Sequence, residues 1–216
     1  MKVKRNRFKG VMLLATVFFL VACIPTRYFV KPEPVEGIIT DYETGEPIPD
    51  AFVVARWTGT SGGLGHGGGA ICFHVEVTRT DAEGHYFIPP PEIESDYPKY
   101  REPRILVLSY KPGYRRPYEF DHKLSPGDQL ITDQELPQER IEYLTSVRRN
   151  TTCMQAGESE RNLLELSKSL YKEVNELAVT KDEKIKALSF LQDVEIIKLG
   201  GDEANRHYYE RREKLR

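Results

Sequence analysis

The sequence predicts a mainly β chain closed by a smaller helical segment, and three observations carry that prediction. Between Val35 and Leu136, short runs of β-type residues alternate with Gly, Pro and Asp turn signals, the spacing of a sandwich or barrel. Within the third run, Ile71, Phe73, Val75 and Val77 alternate with Cys72, His74, Glu76 and Thr78, a period of two. Beyond Pro137 the period changes, and apolar residues recur at three and four positions.

The first element precedes this body. Lys2, Lys4, Arg5, Arg7 and Lys9 crowd the start, directly before the apolar run from Val11 to Ala22. A basic stretch, a short apolar run and a small-residue cleavage site make the layout of a secretory signal peptide over residues 1–22. The run is shorter than the roughly 20 residues that cross a ~30 Å hydrocarbon core. Leu20-Val21-Ala22-Cys23 resembles the lipobox of bacterial lipoproteins. That resemblance implies that Cys23 is alkylated by a diacylglyceryl group, becomes the first mature residue and is acylated at its new amine. Ile24 rather than an aspartate follows it, which in Gram-negative lipoproteins permits export to the outer membrane, facing the periplasm. An uncleaved signal anchor is the other reading of the same stretch.

Removal of residues 1–22 would leave 26 basic against 33 acidic side chains, a net charge of −7. So acidic a chain is a poor wrapper of nucleic acid, which demands a basic surface. With Cys23 acylated, Cys72 and Cys153 remain, an even pair in a compartment where disulfides persist. A bridge between them or two free thiols are both compatible with the count.

Residues 23–33 read as a lipidated tether, with Pro25 and Pro32 disfavouring helix. Over residues 34–137 the clearest strand runs are 38–41, 51–57, 71–80, 85–88 and 104–110, with weaker ones near 116–120 and 129–136. The alternation at 71–78 places Cys72, His74 and Glu76 together on the outward face. Asp81-Ala82-Glu83-Gly84 then reads as a tight hairpin, because Asp can bond the following backbone and Gly can take positive φ.

Residues 138–216 form the helical region. Leu163, Leu166, Leu170, Val174 and Leu177 make one apolar stripe. Thr180 with Glu183 fits a capping box, followed by Ile185, Leu188, Leu191 and Val194, and Gly200-Gly201 ends that helix. The charged tail from Asp202 to Arg216 suits a third, marginal helix. Stripes of this size are expected to pack on the β part rather than await a partner.

The order of the turn segments resembles one family. Gly37-Ile38-Ile39-Thr40-Asp41 leads into Thr44-Gly45-Glu46-Pro47-Ile48 and Ala51-Phe52-Val53-Val54, and Thr80-Asp81-Ala82-Glu83-Gly84-His85-Tyr86-Phe87-Ile88 follows. Together with Lys111-Pro112-Gly113-Tyr114 this is similar to the carboxypeptidase regulatory-like domain of bacterial envelope proteins. The resemblance implies a transthyretin-like seven-stranded β-sandwich over residues 34–137 that stabilises, spaces or binds rather than catalyses. A glycine-rich insertion at residues 59–69 and the helical third lie outside it.

Gly59-Thr60-Ser61-Gly62-Gly63 satisfies G-x-S-x-G, and Gly63, Gly65 and Gly68 satisfy G-x-G-x-x-G. A nucleophile elbow needs a strand-to-helix turn in an α/β sheet, and a dinucleotide site needs a βαβ unit with a later acidic residue. Neither context surrounds this loop, which reads as glycine-rich by composition. Cys72, His74 and Glu76 offer sulfur, nitrogen and oxygen to a zinc ion at two-residue steps, although a disulfide at Cys72 would remove the thiolate. The expectation is therefore a non-catalytic, cofactor-free envelope lipoprotein. Its partners would be the membrane, through the N-terminal lipid, and an envelope protein or glycan. The alternative is a metal-assisted hydrolase built on Cys72, His74 and Glu76.

Overall fold

In the computed structural model, which describes residues 33–61, 70–91, 100–116, 129–132, 136–151, 153 and 160–216, the first extended run is split at Ile39 into β1 (Val35–Ile38) and β2 (Thr40–Asp41). The expected signal peptide, Cys23 and the expected tether before Glu33 lie outside the described residues, as does most of the glycine-rich loop. β1 pairs antiparallel with β5 (His85–Ile88), while β2 runs parallel to β8 (Gln129–Thr132), which pairs antiparallel with β7 (Tyr114–Arg115). The long strands form a separate sheet. β3 (Phe52–Ser61) lies between β4 (Ala70–Arg79) and β6 (Tyr100–Tyr110), antiparallel to both.

Four helices follow: α1 (Pro137–Thr151), α2 (Glu160–Leu177), α3 (Lys181–Leu199) and α4 (Gly201–Lys214). The expected mainly β architecture, a transthyretin-like seven-stranded sandwich with a small helical segment, is therefore corrected. Among the described residues eight strands divide into sheets of two, three and three, five of the strands have four residues or fewer, and more residues lie in helices than in strands. The physical reason is what covers the long sheet. Phe52 and Val54 of β3, Val75 and Val77 of β4, and Leu108 and Tyr110 of β6 pack against Ile141 and Leu144 of α1, Leu166, Leu170 and Val174 of α2, and Phe190 of α3. On that side helices take the place of a second sheet. The opposite face of β3, with Val53, Ala55 and Trp57, shares a second cluster with Ile39, between β1 and β2, and with Tyr86, Ile88 and Leu130 of the short strands. Each such side chain, fully withdrawn from water, contributes about 1.5–3 kcal/mol, so the helices hold the sheet as much as the short strands do.

Local chemistry accounts for the connections. Asp41 Oδ1 accepts from the Glu43 and Thr44 amides, both at 2.9 Å, and Gly45 takes φ +72°, which closes the first turn. Asp81 Oδ1 likewise accepts from Glu83 N at 3.0 Å and His85 N at 2.8 Å. Gly84 takes φ +77°, and a Cβ there would stand 2.7 Å from the Ile39 carbonyl oxygen, so only glycine suits the position. This turn is tight, as expected, but it is not a β4–β5 hairpin. β5 leaves β4 and pairs with β1, making the turn a corner between sheets. Tyr86 lies over its cross-strand partner Gly37, where a Cβ would meet the ring at 2.7–2.9 Å.

The α2 stripe buries Leu166, Leu170 and Val174 as its period predicts. The capping box of α3 is formed: Thr180 Oγ1 accepts from Glu183 N, and Glu183 Oε2 accepts from Thr180 N. Its buried face is Ala187, Phe190 and Val194 rather than the Ile185–Leu188–Leu191 row, because the Phe190 ring reaches the shared core. α1 starts at Pro137, a residue suited to a first helical turn, and α4 begins at Gly201, immediately after Gly200 caps α3 with φ +90°. Of the two weaker strand expectations, that at 129–136 corresponds to β8, and residues 117–120 lie outside the described residues.

Candidate functional site

β4 carries the residues that sequence reasoning grouped together, and its register separates them. Trp57 of β3 faces His74, but the next residue, Thr58, faces Cys72. Phe73 is the extra residue of a β-bulge, and an extra residue reverses the alternation on one side of it. Cys72 thereby joins the face of Val75 and Val77, toward the helices, and is bonded there to Cys153, in the segment between α1 and α2. The expected outward row of Cys72, His74 and Glu76 is corrected accordingly.

His74 and Glu76 remain together on the other face, with His74 Nε2 3.6 Å from Glu76 Oε2 and the His74 ring edge-on to Trp57 at 5.2 Å. Both are largely buried. A hydrolytic zinc site built on these three residues loses its sulfur ligand to the disulfide and to the opposite face. Among the described residues no cluster of three or more His, Cys, Asp and Glu side chains could hold a metal ion. Gly59, Thr60 and Ser61 continue β3, and the rest of the glycine-based motifs lies outside the described residues.

The most demanding polar arrangement lies where β6, β7, α1 and α2 meet, at residues the sequence did not single out. Arg140 of α1 is 3% exposed and donates to Glu173 Oε1 from Nε at 2.9 Å and from Nη2 at 2.6 Å. Its Nη1 donates to the Tyr114 carbonyl at 2.6 Å. The Tyr110 hydroxyl donates to Glu173 Oε2 at 2.6 Å, and the Gly113 amide to Oε1 at 3.3 Å. Burial, followed by the Glu173 charge, drives the Tyr110 hydroxyl well above the ordinary tyrosine range, so it stays protonated as a donor. Tyr110 is wholly buried, and its hydroxyl proton is committed to Glu173. The geometry ties four elements together. A weak signal was present in the sequence: Arg140 stands four residues before Leu144 and seven before Val147, within the apolar face of α1.

Two further ion pairs tie other helices to α3. Arg148 of α1 is bidentate to Asp193 of α3, with Nη2 to Oδ1 at 2.9 Å, and Arg211 of α4 is bidentate to Glu195 of α3 at 2.8 Å for both bonds. The hydrogen bonds from Arg211 hold the Glu195 carboxyl below the usual range.

Clefts also open among the described residues. One, of about 610 Å³, lies between α1, α3 and α4 and has Glu142, Asp182 and Lys186 among its walls. Another, of about 360 Å³, lies between the end of the long sheet and α2, and its walls include Arg79, Lys111, Lys168 and Lys172. Compared with protein-family models, curated proteins and solved structures, the chain matches none of them.

Proposed function

We propose that the chain is an envelope lipoprotein, held on a membrane through lipid on Cys23, whose folded body binds or scaffolds a partner without catalysis of its own. The observation that carries this reading is the Cys72–Cys153 disulfide, because structural disulfides belong to exported proteins and are rare in the cytosol. The basic leader, the short apolar run and the lipobox-like Leu20-Val21-Ala22-Cys23 supply the route and the anchor in the same reading. Two or three acyl chains give stable attachment, since each buried methylene contributes about 0.8 kcal/mol. Among the described residues no helix is long and apolar enough to cross a membrane. The resemblance of the turn segments to carboxypeptidase regulatory-like sequences supports the binding or spacing role, with an envelope protein or glycan as partner. Ile24 after the cysteine favours the outer membrane, on its periplasmic side.

The test is Cys23→Ala in the full chain, followed by cell fractionation and metabolic lipid labelling. Loss of label and release from the membrane fraction are expected. Unchanged retention without label would mean that the leader itself is the anchor and would overturn the lipoprotein reading.

A further inference from the structure

The 360 Å³ cleft is built from the last row of the long sheet and one face of α2. The register sets Phe52 between Arg79 of β4 and Tyr110 of β6. The Arg79 guanidinium lies over the Phe52 ring, 4.2 Å from its centroid, with Nη1 2.6 Å from Asp50 Oδ1. Lys111 follows β6 directly, and its Nζ donates to the Pro49 carbonyl at 2.8 Å. Across the cleft, α2 contributes Glu165, Lys168, Ser169 and Lys172, residues spaced three and four apart and therefore on one side of the helix.

The charges do not cancel. Arg79 is matched by Asp50, and Lys168 by Glu165 at 2.7 Å, whose carboxyl that hydrogen bond holds below the usual range. Lys111 is held by neutral backbone carbonyls, which fix its position and leave its charge uncompensated. Lys172 has no ion-pair or hydrogen-bond partner among the described residues, and it is exposed. The cleft therefore carries two uncompensated positive charges, on a chain whose formal net charge is −2. Small-ligand sites have volumes of roughly 300–1,000 Å³, so the space suits one headgroup rather than a polymer.

We propose that this cleft binds a phosphate monoester, its dianion neutralising Lys111 and Lys172 and its oxygens accepting from their ammonium groups. The inference names a ligand class for the binding role proposed above and rests on the cleft alone. It does not require lipid on Cys23. The same chemistry is offered by a phosphatidic-acid-type lipid headgroup and by a soluble phosphorylated polyol, and the two sources are separable.

The full chain in dodecyl maltoside micelles would be titrated with glycerol 3-phosphate, and separately with phosphatidic acid doped into the micelles, against chloride at matched ionic strength. Thermal unfolding and calorimetry read the binding. A saturable rise in Tm is expected, because a ligand that binds only the folded state stabilises it. Lys172→Glu should weaken binding at least tenfold, while Lys198→Glu, outside the cleft on α3, should leave it unchanged. Lys111→Gln should act in the same direction, but it also removes the bond to Pro49, so Lys172→Glu decides the matter if that variant does not fold. A response to glycerol 3-phosphate supports the soluble source, and a response to doped micelles alone supports the lipid. No saturable response to either probe, or equal effects of Lys172→Glu and Lys198→Glu, would overturn the proposal. Cys23→Ala should retain the response, so failure of the anchor and failure of the cleft give different results.

Discussion

Glu173 accepts hydrogen bonds from Arg140, Tyr110 and the Gly113 amide, and each would be left unsatisfied in a different way by its loss. Arg140 is the costly one, because its guanidinium is buried and cannot shed its charge. Glu173→Ala should therefore destabilise the fold by about 3–5 kcal/mol in urea unfolding, the cost of stranding one partner of a buried pair. Tyr110→Phe removes one charge-assisted bond and should cost about 1.5–3 kcal/mol. The same tyrosine sets an alkaline limit. Its folded pKa lies above the ordinary value of 10.0, so its contribution is full below pH 10 and is lost as pH rises beyond it. A Tm profile from pH 8 to 11 should fall more steeply in the native chain than in Tyr110→Phe. None of this network was legible in the sequence beyond the position of Arg140 on an apolar face. Residues 33 positions apart met through tertiary packing, and no local period encodes such a meeting.

Elements were legible wherever the chain's own chemistry determines them. The α2 stripe, the Thr180–Glu183 box and the Asp81–Gly84 turn all follow from spacing or from side chains that bond their own backbone. Thr180→Ala should cost about 1 kcal/mol in the same unfolding assay, while Thr180→Ser, which keeps the accepting oxygen, should cost little. Strand faces were less legible. A strict period of two assigned Cys72 to the side of His74, and the bulge at Phe73 reversed it, because alternation cannot announce an extra residue that the partner strand skips. The balance of helix and strand is hard to read for a related reason. α1 begins without a Ser, Thr, Asp or Asn cap, and Arg140 interrupts its apolar face, so neither a cap nor an unbroken stripe marks its 15 residues in the sequence.

Among the described residues the long sheet is covered differently on its two sides, and the disulfide lies on the helical one. Cys72 belongs to the sheet and Cys153 to the segment between α1 and α2, 81 residues later. From the sequence that pairing is one of two readings, a bridge or two free thiols, for the two cysteines that remain if Cys23 is acylated. Reduction should lower stability by about 4 kcal/mol, the entropy returned to an unfolded chain by opening so large a loop. Dithiothreitol in the unfolding buffer should shift the urea midpoint accordingly, and an unchanged midpoint would mean that the bridge restrains nothing. The bond also closes the chain into a covalent ring that contains β5, β6, β7, β8 and α1. A single hydrolytic nick anywhere on that ring leaves no free fragment, so a protein exposed to secreted proteases would survive its first cut as one joined body.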